Sequence, residues 1–108
     1  DRIMEAIELA DKETKDIADF KKNQKHKKKR PNALLLGLEP AEYIFWVLRS
    51  VKNPDLEQSL LVIPFRHIER LFYYLIILLR NGRGVELCSR VAIFLTKINQ
   101  RQVRTLFP

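Results

Sequence analysis

Ser59–Leu79 reads SLLVIPFRHIERLFYYLIILL and Val85–Gln100 reads VELCSRVAIFLTKINQ, with the turn Asn81-Gly82-Arg83-Gly84 between them. Both segments are long enough for several helical turns, and the paired glycines supply the left-handed backbone that ends a helix. A connection this short joins helices that lie side by side and run antiparallel. Together the two segments carry more apolar surface than one small domain hides, and they lack the convergent polar groups that catalysis needs.

Working outward from this hairpin, prolines mark the earlier helix starts. Pro64 opens the long helix, which runs to about Arg80. Asn53-Pro54 supplies an N-cap and a first-turn residue for a short helix over Asp55–Val62. Pro40 does the same for a helix running to about Val51. Beyond the turn, Val85–Asn99 forms a helix, and a last short one begins near Gln100 with Asn99 as its cap. No period-two stretch flanked by hairpin turns occurs, so the expected class is all-α, a small bundle or array of antiparallel helical hairpins.

At the other end, Ile3, Ile7, Ala10, Thr14 and Ile17 step by four and three, which places them on one stripe of an amphipathic helix over residues 2–20. Charge divides the chain sharply. Residues 1–20 carry net −4, residues 21–30 (KKNQKHKKKR) carry +7, and residues 31–108 carry +4. The basic run has no apolar residue to offset the entropy of ordering it, so it reads as a flexible tether. The expected organisation is therefore an acidic helix over 1–20, a basic linker over 21–30 and a helical domain over 31–108. The chain starts at Asp1 and reads as an excerpt of a longer protein. The longest run without a charge is Leu71–Leu79, about half of what a bilayer crossing needs, so no membrane is expected as a partner. The single cysteine, Cys88, allows neither an internal disulfide nor a zinc site built from cysteines.

Residues seven apart on a helix fall within about 20° of one another, so each helix can be sorted into faces. On Pro64–Arg80 the polar stripe of Arg66, Glu69, Arg70 and Arg80 takes in Tyr73, Ile76 and Ile77. On Val85–Asn99, Ile93 falls among Glu86, Arg90 and Lys97. On Pro40–Val51, Trp46 lies between Glu42 and Arg49, while Ile44, Val47, Leu48 and Val51 face inward. Leaving such side chains in water forgoes roughly 1.5–3 kcal/mol of burial each. Two readings compete: neighbouring helices of the same chain, including the acidic first helix, cover these positions, or Trp46, Tyr73, Ile76, Ile77 and Ile93 form an interface with another protein. The expected core comprises Phe65, Leu75, Leu87, Val91 and Leu95.

Chemistry is sparse. His26 sits in the lysine run and His67 at the start of the long helix, both read as surface or structural residues. Cys88 lies on the apolar side of its helix with Val91 and Leu95, which suits a buried small hydrophobe better than a nucleophile. Glu86 and Arg90 are spaced for a helix-surface ion pair. Gly82-Arg83-Gly84 follows a helix and lacks the Lys-Ser/Thr ending of a phosphate loop. No catalytic residue, metal site or cofactor is expected. Lys21, Lys22, Lys25, Lys27, Lys28, Lys29 and Arg30 can release counterions from nucleic-acid phosphates, although no aromatic residue interrupts them to stack on bases. A nuclear localisation signal and a solvated linker are the other readings of that run.

Leu60, Leu61, Val62, Pro64 and Phe65, followed by the helix and then by Glu86, Leu87, Arg90, Phe94, Leu95, Lys97, Ile98 and Gln102, resemble the C-terminal helical domain of the Utp-twelve (Dip-two) family. Asn99 stands where that family usually has histidine, and Ile63 replaces a leucine. The resemblance covers about residues 41–104. Arg2–Leu9 (RIMEAIEL) also resembles the helix that precedes this domain in the Utp-twelve branch. The resemblance implies a nucleolar WD-repeat subunit of the UTP-B complex of the small-subunit processome, without enzymatic activity. Its implied partners are paralogous C-terminal domains, notably of Utp-thirteen type, with pre-ribosomal RNA and guide snoRNA in the assembled particle. The basic run leaves an RNA-binding module as the alternative.

Overall fold

The computed structural model describes residues 2–23, 32–101 and 104. Among them are five α-helices: α1 Arg2–Asn23, α2 Pro40–Ser50, α3 Asn53–Leu61, α4 Phe65–Arg80 and α5 Val85–Ile98, with a 3₁₀ turn at Ala33–Leu35 before α2. No strand occurs among the described residues, and the fold is all-α. Gln100, Arg101 and Arg104 are helical as well, where the sequence suggests a last short helix.

The helix ends follow the local chemistry, with small displacements. Pro40 is the first residue of α2, where a missing N–H costs nothing. Asn53, expected as a cap, is already helical, and Lys52 takes the cap position with extended backbone. Pro64 likewise caps α4 from outside rather than opening it. α1 runs three residues beyond the expected end, so Lys21 and Lys22 are helical. Both lie in its last turn, where cations complement the carbonyl end of the helix. The 3₁₀ turn at Ala33–Leu35 has a local cause. Asn32 Oδ1 accepts from the Leu34 N–H at 2.9 Å, an Asn-specific local bond that helical periodicity does not encode.

The α4–α5 hairpin closes with a Schellman arrangement. The Arg83 N–H donates to Leu78 O at 2.8 Å and the Gly82 N–H to Leu79 O at 3.1 Å, with Gly82 at φ +67. Gly84 (φ +56) starts α5, and a Cβ there would collide with the Phe45 ring, 2.7 Å from Cζ. This turn therefore requires glycine for its backbone at both positions and for space at the second.

α1 packs mainly on α2 and also on α4; α2 and α5 each pack on α4. One core results. Ile3, Ala6, Ile7 and Ala10 of α1 join Ile44, Val47 and Leu48 of α2, Leu56 and Leu60 of α3, Ile68, Leu71, Leu75 and Leu78 of α4, and Cys88, Val91 and Leu95 of α5. Leu75, Val91 and Leu95 are fully buried as expected, whereas Phe65 and Leu87 are half-buried against the edge of this core. Val51 is half-buried too, because α2 ends before it and its backbone is extended.

Polar contacts fix α1 in register. Asp11 Oδ1 accepts from Arg70 Nε at 2.9 Å and from the Tyr74 hydroxyl at 2.5 Å, and Thr14 Oγ1 lies 3.2 Å from that hydroxyl. Burial first, and the bond to Asp11 second, push the Tyr74 phenol up to about 12. His67 is buried, and its Nε2–H donates to Glu8 Oε1 at 3.0 Å.

Candidate functional site

The sequence-derived apolar positions do not behave alike. Tyr73 (43% exposed) and Ile93 (56% exposed) remain open to solvent. Trp46, Ile76 and Ile77 are half-buried. Trp46 is partly covered from within the chain: its ring stacks on Tyr43 with centroids 6.1 Å apart, and the Arg2 guanidinium of α1 lies over it at 5.8 Å. Ile77 packs against the core edge. The two competing readings thus divide by position. α1 and its neighbours take part of the surplus, and Tyr73 and Ile93 are left over.

A groove of about 400 Å³ collects two of these positions. Its walls are Thr14 and Ile17 of α1, Pro40 and Ala41 at the start of α2, and Tyr73, Ile77 and Leu78 of α4. It exists because α4 is flanked there by the far half of α1 and the first turn of α2, and neither reaches over Tyr73. Glu39 and Glu42 stand at its edge, and among the described residues no cation lines it. Glu42 accepts from Arg83 Nε at 2.8 Å and Nη2 at 3.3 Å, and this bond holds the Arg83 pKa above its ordinary value. Arg70 lies over the Tyr73 ring at 4.5 Å and over Tyr74 at 5.6 Å. Burial alone would lower the Arg70 pKa, but its bonds to Asp11 and Tyr74 outweigh that and raise it. A charged clamp therefore holds Tyr73 in place, which reduces the entropy it loses when a partner covers it.

Ile76, Ile93 and Trp46 do not line the groove. Ile17, Pro40 and Ala41 do, although sequence reasoning assigned them only to a helix stripe and a helix start. A different set of exposed apolar side chains escaped face sorting: Leu34, Leu36, Leu61, Val62 and Val85 are each more than half exposed. They sit in turns and at helix ends, where a heptad argument has no hold. Of the basic run, Lys21 and Lys22 are exposed at the end of α1, while Lys25, Lys27, Lys28, Lys29 and Arg30 lie outside the described residues, as does His26.

The remaining chemistry is structural. Cys88 is fully buried, its Sγ 3.7 Å from Arg83 O, and burial raises its thiol pKa, as does nearby Glu42. Arg90 donates to Asn53 Oδ1 at 3.2 Å and so ties α5 to α3. The Glu86–Arg90 pair suggested by the spacing is not formed among the described residues, because Arg90 reaches across to the neighbouring helix instead. Among the described residues no group of three histidine, cysteine or acidic side chains is placed to hold a metal, and no helix is long and apolar enough to cross a membrane.

Fold and groove together define a small all-α domain with a largely apolar groove on one face. Residues 40–106 match the Dip2/Utp12 family, and the chain belongs to it. Over 109 residues, covering 94% of this chain, it is 32% identical to the WD repeat-containing protein 3 homolog of Dictyostelium discoideum. Identity to human WD repeat-containing protein 3 is also 32%, over 95% of the chain, and to the mouse protein 29%. In each case the chain spans 12% of the relative's length.

Proposed function

We propose that this domain is a non-enzymatic assembly module of a nucleolar ribosome-biogenesis factor, which joins paralogous subunits of the UTP-B complex in the small-subunit processome. The single observation that carries this reading is the groove at Tyr73 and Ile77. It is an apolar surface that α1 leaves uncovered, lined in part by positions inside the family match. The groove suits the aliphatic stripe of a partner helix, with Tyr73 as the aromatic anchor that interfaces favour. A C-terminal domain of Utp-thirteen type is the partner proposed, with pre-ribosomal RNA and guide snoRNA present in the assembled particle. Mixing the two domains at micromolar concentration and measuring mass by light scattering tests the proposal. A species with the summed mass is expected; two unchanged monomers would overturn it.

A further inference from the structure

Among the described residues Leu36 alone, glycines aside, takes a positive φ, with φ +56 and ψ +25. An L-residue there crowds its Cβ against the following carbonyl, a strain that glycine avoids. The fold gains little from the side chain in return, since Leu36 is 57% exposed, and neighbouring Leu34 is 69% exposed. Yet the turn is firmly held. Leu35 between them is fully buried, the Leu36 N–H donates to Ala33 O at 3.0 Å, the Gly37 N–H to Asn32 O at 3.1 Å and the Leu38 N–H to Leu35 O at 2.9 Å. Backbone strain kept by such surroundings, with its side chain left in water, points to a use outside the fold.

Glu39 and Pro40, three and four residues further on, line the groove at Tyr73 and Ile77. Three steps of about 3.8 Å keep the Leu36 Cα within about 11 Å of the Glu39 Cα, a span that a helix covers in two turns. Charge at this edge has one sign left over. Glu42 is neutralised by Arg83, whereas the exposed Glu39 has no ion-pair partner among the described residues. Building on the docking reading above, we propose that the Leu34–Leu36 turn extends the docking surface. Its occupant is an amphipathic partner helix whose aliphatic stripe runs from the groove onto Leu36 and whose flank carries a lysine or arginine that meets Glu39. A second copy of this chain fits less well, because a two-fold pair sets the same patch against itself and brings two Glu39 carboxylates together.

The test titrates a Utp-thirteen-type domain into the 108-residue chain by calorimetry, with thermal melts of each variant alone. Leu36→Asn puts a residue that tolerates the left-handed region in place of one that does not, so Tm should hold or rise by up to about 5 °C. Binding should weaken about tenfold, the loss expected when a leucine that a partner covers becomes polar. Glu39→Gln should leave the melt alone, weaken binding about two- to fivefold and flatten its salt dependence. Tyr73→Ala, run in parallel, reports on the groove itself. If Tyr73→Ala weakens binding while either Leu36→Asn or Glu39→Gln matches the parent, the inference is overturned and the docking reading stands. No complex with the parent chain overturns both. A fall in Tm of more than about 5 °C in Leu36→Asn would show that the leucine serves the fold, and it overturns the inference as well. So does a dimer of the parent chain alone, seen by light scattering and lost in Leu36→Asn, which would mark a contact between copies.

Discussion

Replacing each glycine of the α4–α5 turn by alanine separates two costs that the structure assigns to different positions. Gly82 (φ +67) has open space where a Cβ would stand, so Gly82→Ala adds only backbone strain. A left-handed L-residue costs about 1–2 kcal/mol, and the stiffer unfolded chain returns about 0.4–1 kcal/mol, leaving a loss near 1 kcal/mol. Gly84 (φ +56) has the same backbone strain, but its Cβ would stand 2.7 Å and 2.9 Å from Cζ and Cδ1 of Phe45. Phe45 cannot swing away freely, since Arg49 and Arg83 both lie over its ring. Displacing a packed side chain costs about 1–3 kcal/mol more, so Gly84→Ala should lose about 2–4 kcal/mol. At roughly 4–6 °C per kcal/mol for a domain of this size, Tm should fall about 5 °C for Gly82→Ala and about 10–20 °C for Gly84→Ala. Thermal melts followed by circular dichroism, repeated in a Phe45→Ala background, read both terms. There the extra cost of Gly84→Ala should disappear. Equal losses at the two glycines, or an unchanged Gly84→Ala penalty without the ring, would refute the packing assigned to this turn.

Other perturbations bear on the place of α1. Ile7 is fully buried between α1 and its neighbours, so Ile7→Ala should cost about 2–5 kcal/mol in urea denaturation. A loss below 0.5 kcal/mol, on the scale of a surface change, would mean that α1 does not belong to the core. Tyr74 provides a pH signature. Its folded pKa of about 12 lies above the ordinary phenol value of 10.0, so the folded state holds the proton longer. The stabilisation is fully present below about pH 10 and is lost as pH rises towards 12, with a slope of up to about 1.4 kcal/mol per pH unit. Tyr74→Phe should remove that slope, which urea denaturation in steps between the two values can check. Tyr73 is 43% exposed, so Tyr73→Ala should leave the melt within about 1 kcal/mol of the parent while weakening partner binding tenfold or more by calorimetry.

The helices were legible because prolines, paired glycines and apolar spacing all act locally. Pro40, Gly82 and the stripe through Ile3, Ile7 and Ala10 each fix their element within a few residues. Which surplus positions stay exposed was not legible, because that depends on where α1 lands. Arg2 of α1 reaches Trp46, whereas the cation over Tyr73 is Arg70 of its own helix, held by Asp11 of α1. The Glu86–Arg90 expectation failed for the same reason, since α3 offers Arg90 a nearer acceptor in Asn53. Local spacing says which faces are apolar; only the crossing of helices says which are covered.

Hydrogen exchange with and without a Utp-thirteen-type domain tests the central claim most directly. If the groove is the docking surface, amides around Thr14–Ile17, Ala41–Glu42 and Tyr73–Leu78 slow on mixing, while those around Ile93 do not. Protection confined to α5, or absent at concentrations that saturate the complex, would contradict it.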